Sequence, residues 1–370
     1  MNAWPYFKQH FRSSLKTIII ITALCLMLCM LFTATFQVQK HVGIESGHVS
    51  YTYHPTLGMS VFVLCVMSIL APILQFSTFK RRRDLDMWGA LPIKRRALGA
   101  VHFMIGLLMV IIPFTACFLQ NTALLYINGA ASHLYMPPLI PFYFLGLLSG
   151  FTMYSVNTFI FNRANSIVDG IICMALWMVL IPTLMLCGSA VFGSMDMLKM
   201  TLSTPTFSPI ISITSATEVT MRGVGSTDLA KYFANISSPE GIGFIINTVL
   251  GVAAAVGNFL LFGKRRVETV QEVSSSFFCY RTLIPVYAIS LIMGITGGFG
   301  LLAQQGDSSS GVAMIEFIIG FLFGYTFTSF VAVVAFVGYI IYRRGFHFKR
   351  SDGIIMGIIG FLATFAPMMI

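Results

Sequence analysis

Lys80 to Arg96 reads KRRRDLDMWGALPIKRR and carries seven basic residues. Long apolar runs, roughly 57–79 and 98–119, flank it. Each is long enough to cross a hydrocarbon core, which takes about 20 apolar residues as helix. A loop this basic between two membrane helices belongs in the cytoplasm. It is also patterned. Asp84 and Asp86 lead into Met87, Trp88 and Leu91, then Pro92, then Lys94, Arg95 and Arg96. A short helix built this way offers an aromatic and aliphatic face to a cytoplasmic partner.

The rest of the chain fits that start. Of 370 residues, 56% are hydrophobic and 10% charged, with a mean hydropathy of +0.84. Such a composition, with apolar runs of membrane length, predicts an all-α, polytopic membrane helix bundle. A β-barrel is excluded, because its strands alternate rather than run continuously apolar. The net charge of +10 does not point to nucleic acid, since the basic residues sit in short loops beside membrane helices.

Residues 1–16 are amphipathic. Trp4, Phe7 and Phe11 recur at helical spacing, with Lys8, Arg12 and Lys16 between them, which predicts an interfacial helix on the inner leaflet. Membrane helices are expected near 17–38, 57–79, 98–126, 138–161, 167–192, 242–263, 283–303, 312–342 and 353–370. With the N-terminus inside and strict alternation, 19 of the 23 basic residues fall inside. Only Lys40, Lys199, Arg222 and Lys231 fall outside, which is the asymmetry the positive-inside rule demands. Residues 193–240 form a long outer segment expected to hold short interfacial helices. Residues 264–282 form a cytoplasmic linker. The apolar ending FLATFAPMMI predicts that the natural chain continues past residue 370.

Chemistry-bearing patterns are sparse. Gly257 to Lys264, GNFLLFGK, has the wrong spacing for a P-loop. No HExxH, nucleophile elbow or paired carboxylate stands out. No Cys or His spacing resembles a metal site, and no cofactor is expected in this chain. The seven cysteines lie in apolar runs or, for Cys279, in a cytoplasmic segment, so no structural disulfide is expected. Glu316 is the one candidate intramembrane acid, about one turn from an outer helix end, where a helix-terminal role competes with a functional one. Asp169 reads as the acidic start of a helix. Gly320 with Gly324, and Gly353 with Gly357, form GxxxG pairs whose ordinary use is close packing within the chain. Asn235-Ile236-Ser237 is a sequon on the outer side.

The stretch DMWGALPIKRR, Asp86 to Arg96, resembles the cytoplasmic segment of bacterial export-type ABC transporter permeases. There an acidic residue, a small-Leu-Pro core and a basic pair introduce the third helix. Here those are Asp86, Ala90-Leu91-Pro92 and Arg95-Arg96. Lys264 to Thr269, KRRVET, is similar to the basic stretch after the sixth helix of Gram-positive members. The layout of an amphipathic start, six helices and a long outer segment before the sixth also resembles the type V exporter fold. The likeness covers about residues 1–270, and residues 271–370 depart from it with about three additional helices.

The resemblance implies a permease core at 17–263, with a coupling segment at 80–97 and an outer segment at 193–240. It implies that Asp84, Asp86, Met87, Trp88, Leu91 and Pro92 dock on a separate ATPase subunit, which binds the ATP. It also implies pairing with a second permease subunit, among the lipids of the bacterial cytoplasmic membrane. The cargo expected is a peptide, lipid or other amphipathic substrate, along an apolar and aromatic path. Two other classes compete. A self-contained secondary transporter is the first, though acids near the membrane midplane are missing for a proton-coupled one. A membrane-embedded enzyme is the second, and it lacks a polar catalytic set.

Overall fold

A computed structural model describes residues 4–35, 39–42, 49–52, 54–81, 93–127, 136–192, 239–263, 276–305, 329–334, 336–338 and 350–365. They are helical apart from short turns and one hairpin. The helices are α1 (Trp4–Thr35), α2 (His54–Phe76), α3 (Arg95–Ile127), α4 (Met136–Arg163), α5 (Ile167–Phe192), α6 (Pro239–Phe262), α7 (Tyr280–Gln305) and α8 (Arg350–Phe365). A single 3-10 turn, Thr78–Lys80, follows α2. Five stretches are long and apolar enough to cross a membrane: Trp4–Phe32, Gly58–Phe76, Arg95–Leu124, Phe142–Arg163 and Phe244–Phe262. Shorter apolar helices are Ile167–Ile181, Tyr280–Ile295 and Gly353–Leu362. The chain is a multi-pass membrane bundle.

Two departures from the sequence reading stand out. Residues 4–16 are not a separate element. They are the first turns of α1, a helix of 32 residues. Pro5 sits in its first turn, where the missing N–H costs nothing. No Gly or Pro follows before Thr35, so the amphipathic start runs straight into the apolar span. The helix is roughly 48 Å long at 1.5 Å per residue, well beyond the hydrocarbon core. The second departure lies in the expected outer loop at 40–56. Gln39–Val42 and Val49–Thr52 pair there as an antiparallel hairpin, with Gln39 opposite Thr52.

Packing divides the chain into two units, Met1–Asn162 with Pro209–Gln271, and Arg163–Ser208 with Glu272–Ile370. The units do not follow chain order. The first holds α1, α2, α3, α4 and α6. The second holds α5, α7 and α8.

In the first unit, contact pairs give each helix its direction. Tyr6 meets His102 and Leu26 meets Gln120, so α1 and α3 run parallel. Ser68 meets Asn157 and Lys80 meets Phe161, so α2 and α4 run parallel. Phe103 packs on Tyr154 while Phe114 fills the space left by Gly146, which makes α3 and α4 antiparallel. Thr152 abuts Gly251 and Asn162 bonds Asn258, so α4 and α6 run the same way. In the second unit, Asp169 meets Tyr280 and Cys187 meets Gly294, so α5 and α7 are parallel as well, with α6 between them in sequence.

The outward faces carry bare aliphatics. Ile19, Ile20, Leu24, Met27 and Leu31 on α1 are exposed, as are Val249, Val252, Val256 and Leu260 on α6. A stripe of this kind is stable only against lipid or another protein.

Candidate functional site

Asp84, Asp86, Met87, Trp88, Leu91, Pro92 and Glu316 lie outside the described residues. The stems of the 80–96 segment are described, and both are tied into the first unit. Lys80 is 1% exposed. Its ammonium donates to the carbonyl of Phe161 and sits 3.5 Å from the centre of the Phe161 ring. That carbonyl is among the last four of α4, the groups a helix cannot pair within itself. A buried cation is costly without compensation. Here the partial negative charge of the helix end and the ring face supply part of it. On the other stem, Lys94, Arg95 and Arg96 are exposed at the start of α3. Three cations at a helix N-terminus oppose the macrodipole, so their presence is not explained by helix stability.

Beside the stems lies a cluster of uncharged polar and aromatic groups. Gln75 Oε1 is 3.3 Å from His10 Nε2 and 3.3 Å from His102 Nδ1. His102 Nε2 is 3.1 Å from the Tyr6 hydroxyl. One proton arrangement satisfies every contact. Both imidazoles donate to the Gln75 carbonyl oxygen, and the tyrosine donates to His102. That arrangement keeps both rings neutral, as suits His102, which is buried. Phe79 meets His102 edge-on at 4.7 Å and Phe262 at 5.3 Å. Gly99 has no side chain because the Phe262 ring takes its place, 2.6 Å from where a Cβ would stand. The first turns of α1 thus pack against the ends of α2 and α3, which the interfacial reading of 1–16 did not foresee.

Above this cluster α4 carries a polar spine. Ser149, Thr152, Ser155, Asn157, Thr158 and Asn162 are each at most 3% exposed. They are buried because α4 has neighbours on three sides. Asn157 Nδ2 donates to the carbonyl of Ser68 on α2 at 3.1 Å. Tyr154, fully enclosed, donates to the carbonyl of Phe103 on α3 at 3.0 Å, beside Gly106, where a side chain would collide with its hydroxyl. Asn162 Nδ2 donates to Asn258 Oδ1 on α6 at 2.7 Å. Not every polar atom is matched. Ser149 Oγ, Ser155 Oγ, Asn157 Oδ1, Asn162 Oδ1 and Asn258 Nδ2 are buried without a hydrogen-bond partner. Each such group costs about 1–3 kcal/mol. The sequence reading passed over this spine. Its signal was there, since the span of α4 is the least apolar of the five.

In the second unit Asp169 has a structural place. Ser166 caps α5, its hydroxyl accepting from the Asp169 N–H at 3.0 Å, and the Asp169 carboxylate accepts from the Tyr280 hydroxyl at 2.9 Å. The GxxxG glycines of α8, Gly353 and Gly357, face open space and mark no close approach within the described residues. None of the seven cysteines is in a disulfide. Among the described residues no three of His, Cys, Asp and Glu come together as metal ligands would.

No family model, curated protein or solved structure matches this chain.

Proposed function

We propose that this chain is the transmembrane permease subunit of an ATP-driven exporter, moving a peptide, lipid or other amphipathic substrate. A separate ATPase subunit binds and hydrolyses the ATP. The observation that carries this reading is the anchoring of Lys80. The residue opening the 80–96 segment is bonded to the end of α4, the helix with the polar spine. A push on that segment therefore has a route into the bundle interior. Rigid-body switching needs such a joint between a cytoplasmic lever and packed helices. Alternating helix directions and the cationic stems support an inner position for this end of the first unit.

The segment's Trp88 and Leu91 are the proposed anchors in a groove on the ATPase, with Asp84, Asp86, Met87 and Pro92 as further docking residues. Two permease subunits, identical or similar, would assemble as a pair. The test is affinity purification of the tagged full chain from native membranes. An ATP-hydrolysing subunit should come with it, and Trp88→Ala should lose that subunit while inserting normally. Buried aromatic anchors cost about 2 kcal/mol or more on truncation, roughly thirtyfold in affinity. A stable chain that brings no ATPase, or Trp88→Ala that keeps both docking and coupled hydrolysis, would sink the assignment.

A further inference from the structure

The contact between α4 and α6 differs from an ordinary helix seam. Thr152, Ser155, Phe159 and Asn162 recur on α4 at steps of three and four, and Ser149 extends the row by one turn. Opposite Thr152, Phe159 and Asn162 stand Gly251, Gly257 and Asn258 of α6. The helices are so close that a Cβ on Gly251 would lie 2.7 Å from the Thr152 Cα. Tight small-residue packing is a good way to hold two membrane helices together. Alanine at 149 and 155 would serve that purpose better than serine. Four polar atoms in this row are buried with no partner: Ser149 Oγ, Ser155 Oγ, Asn162 Oδ1 and Asn258 Nδ2. They supply both donors and acceptors. Such groups gain their hydrogen bonds only when something polar enters.

We propose that the α4–α6 seam is the closed form of a solute path, and that it takes an uncharged hydrogen-bonding chain such as peptide amides or sugar hydroxyls. This rests on the exporter reading and adds to it which helices part and what chemistry passes. In the closed state its orphaned groups raise the energy of the bundle. On opening they meet water or cargo, which offsets the loss of helix contact. An open population of about 1% is enough to be read chemically.

The test uses the full chain in native membranes, its seven cysteines replaced by alanine and single cysteines placed at Ser149, Ser155 or Asn258. Leu64→Cys, buried on α2 against Gly150 and off the α4–α6 contact, is the control. The probe is 2-hydroxyethyl methanethiosulfonate, which reacts with thiolate, a form that arises only in contact with water. The seam positions should react about tenfold faster than Leu64→Cys or more, with ATP changing the rate. Ser149→Cys and Asn258→Cys report the same seam should Ser155→Cys fail to insert. Rates no faster than the control at every seam position, with and without ATP, would overturn the path and leave the exporter reading to its own test. Fast labelling indifferent to ATP, in a chain that retains no ATPase, would support the path and remove the exporter. Acetyl-trialanine amide or maltotriose should slow the labelling, and the one that does so names the cargo chemistry. Protection by neither would overturn the ligand assignment.

Discussion

The two units join parallel helices by opposite means. In the second unit, α5 and α7 are locked by groups that find their acceptors. Trp177 Nε1 donates to the Phe278 carbonyl, Tyr287 donates to the Leu176 carbonyl, and Tyr280 donates to Asp169. Thr282 Oγ1, in the first turn of α7, is buried without a partner. In the first unit, α4 and α6 approach through glycine and leave two serine hydroxyls and two amide ends unmatched. A membrane interior gives helices no hydrophobic reason to associate, so packing and hydrogen bonds decide. By that measure α5–α7 is a seam built to stay shut, and α4–α6 is one that holds tightly yet loses little by opening.

Glycine substitutions should break the comparison most sharply. At Gly251 the obstacle to a Cβ is the Thr152 backbone, which cannot rotate away. At Gly294 the first obstacle is the Cys187 sulfur, at 2.6 Å. Gly251→Ala is expected to cost about 3 kcal/mol, the upper end for overpacking, and no single side-chain change should restore it. Gly294→Ala should cost about 1–2 kcal/mol, with Cys187→Ala recovering part of the loss. Thermal unfolding of the purified chain in detergent measures both. Equal costs, or full rescue of Gly251→Ala by Thr152→Ser, would mean that the two seams are alike.

Lys80 comes next. Lys80→Met keeps the apolar stem and removes the charge-assisted bond to Phe161, a change worth about 1.5–3 kcal/mol. Tyr287→Phe removes a neutral donor from an equivalent main-chain acceptor, and should cost about 0.6 kcal/mol, typical of hydrogen bonds between membrane helices. The pair separates the lever from the lock. Lys80→Met should also blunt the response of seam labelling to ATP, while Tyr287→Phe should leave it intact. An unaltered ATP response in Lys80→Met would detach the 80–96 segment from α4.

How much of this could be read beforehand follows from where the information sits. Helix positions were legible, because each apolar run is a local property. The expected 138–161 and 167–192 lie within or coincide with α4 and α5. Asp169 was legible as the acidic start of α5, though the Ser166 cap and the partner Tyr280 were not read. The continuity of α1 was misjudged. Amphipathic patterning at Trp4 to Lys16 reports what faces a helix meets, and not whether the helix ends. The pairing of α5 with α7 depends on residues about 110 apart, such as Asp169 with Tyr280 and Leu176 with Tyr287, and no local pattern encodes it. The polar spine was in plain view as six hydroxyl and amide side chains on α4. A search for charged or catalytic groups does not register serines and asparagines. Their meaning appears only once Ser155 and Asn162 are seen enclosed without enough partners.

The smallest expected effect is the one with the reversed sign. Ser155→Ala removes a hydroxyl that is buried and pairs with nothing. The helix contact keeps its backbone geometry, since alanine is smaller than serine by that one atom. Alanine is also the better helix former by about 0.5 kcal/mol. The closed bundle should therefore be unchanged or more stable by about 0.5–1 kcal/mol, because a buried hydroxyl with no protein partner no longer has to be accommodated. The open seam, by contrast, loses a group that would meet water or cargo. Stability and labelling should then move in opposite directions. Ser155→Ala should raise the unfolding temperature slightly and slow the labelling of Ser149→Cys in the same chain. Loss of stability in Ser155→Ala would show that the hydroxyl is satisfied in the closed bundle. The contrast with Tyr287→Phe, where loss of a hydroxyl weakens the protein, would then vanish, and with it the case that one seam is built to open and the other to hold.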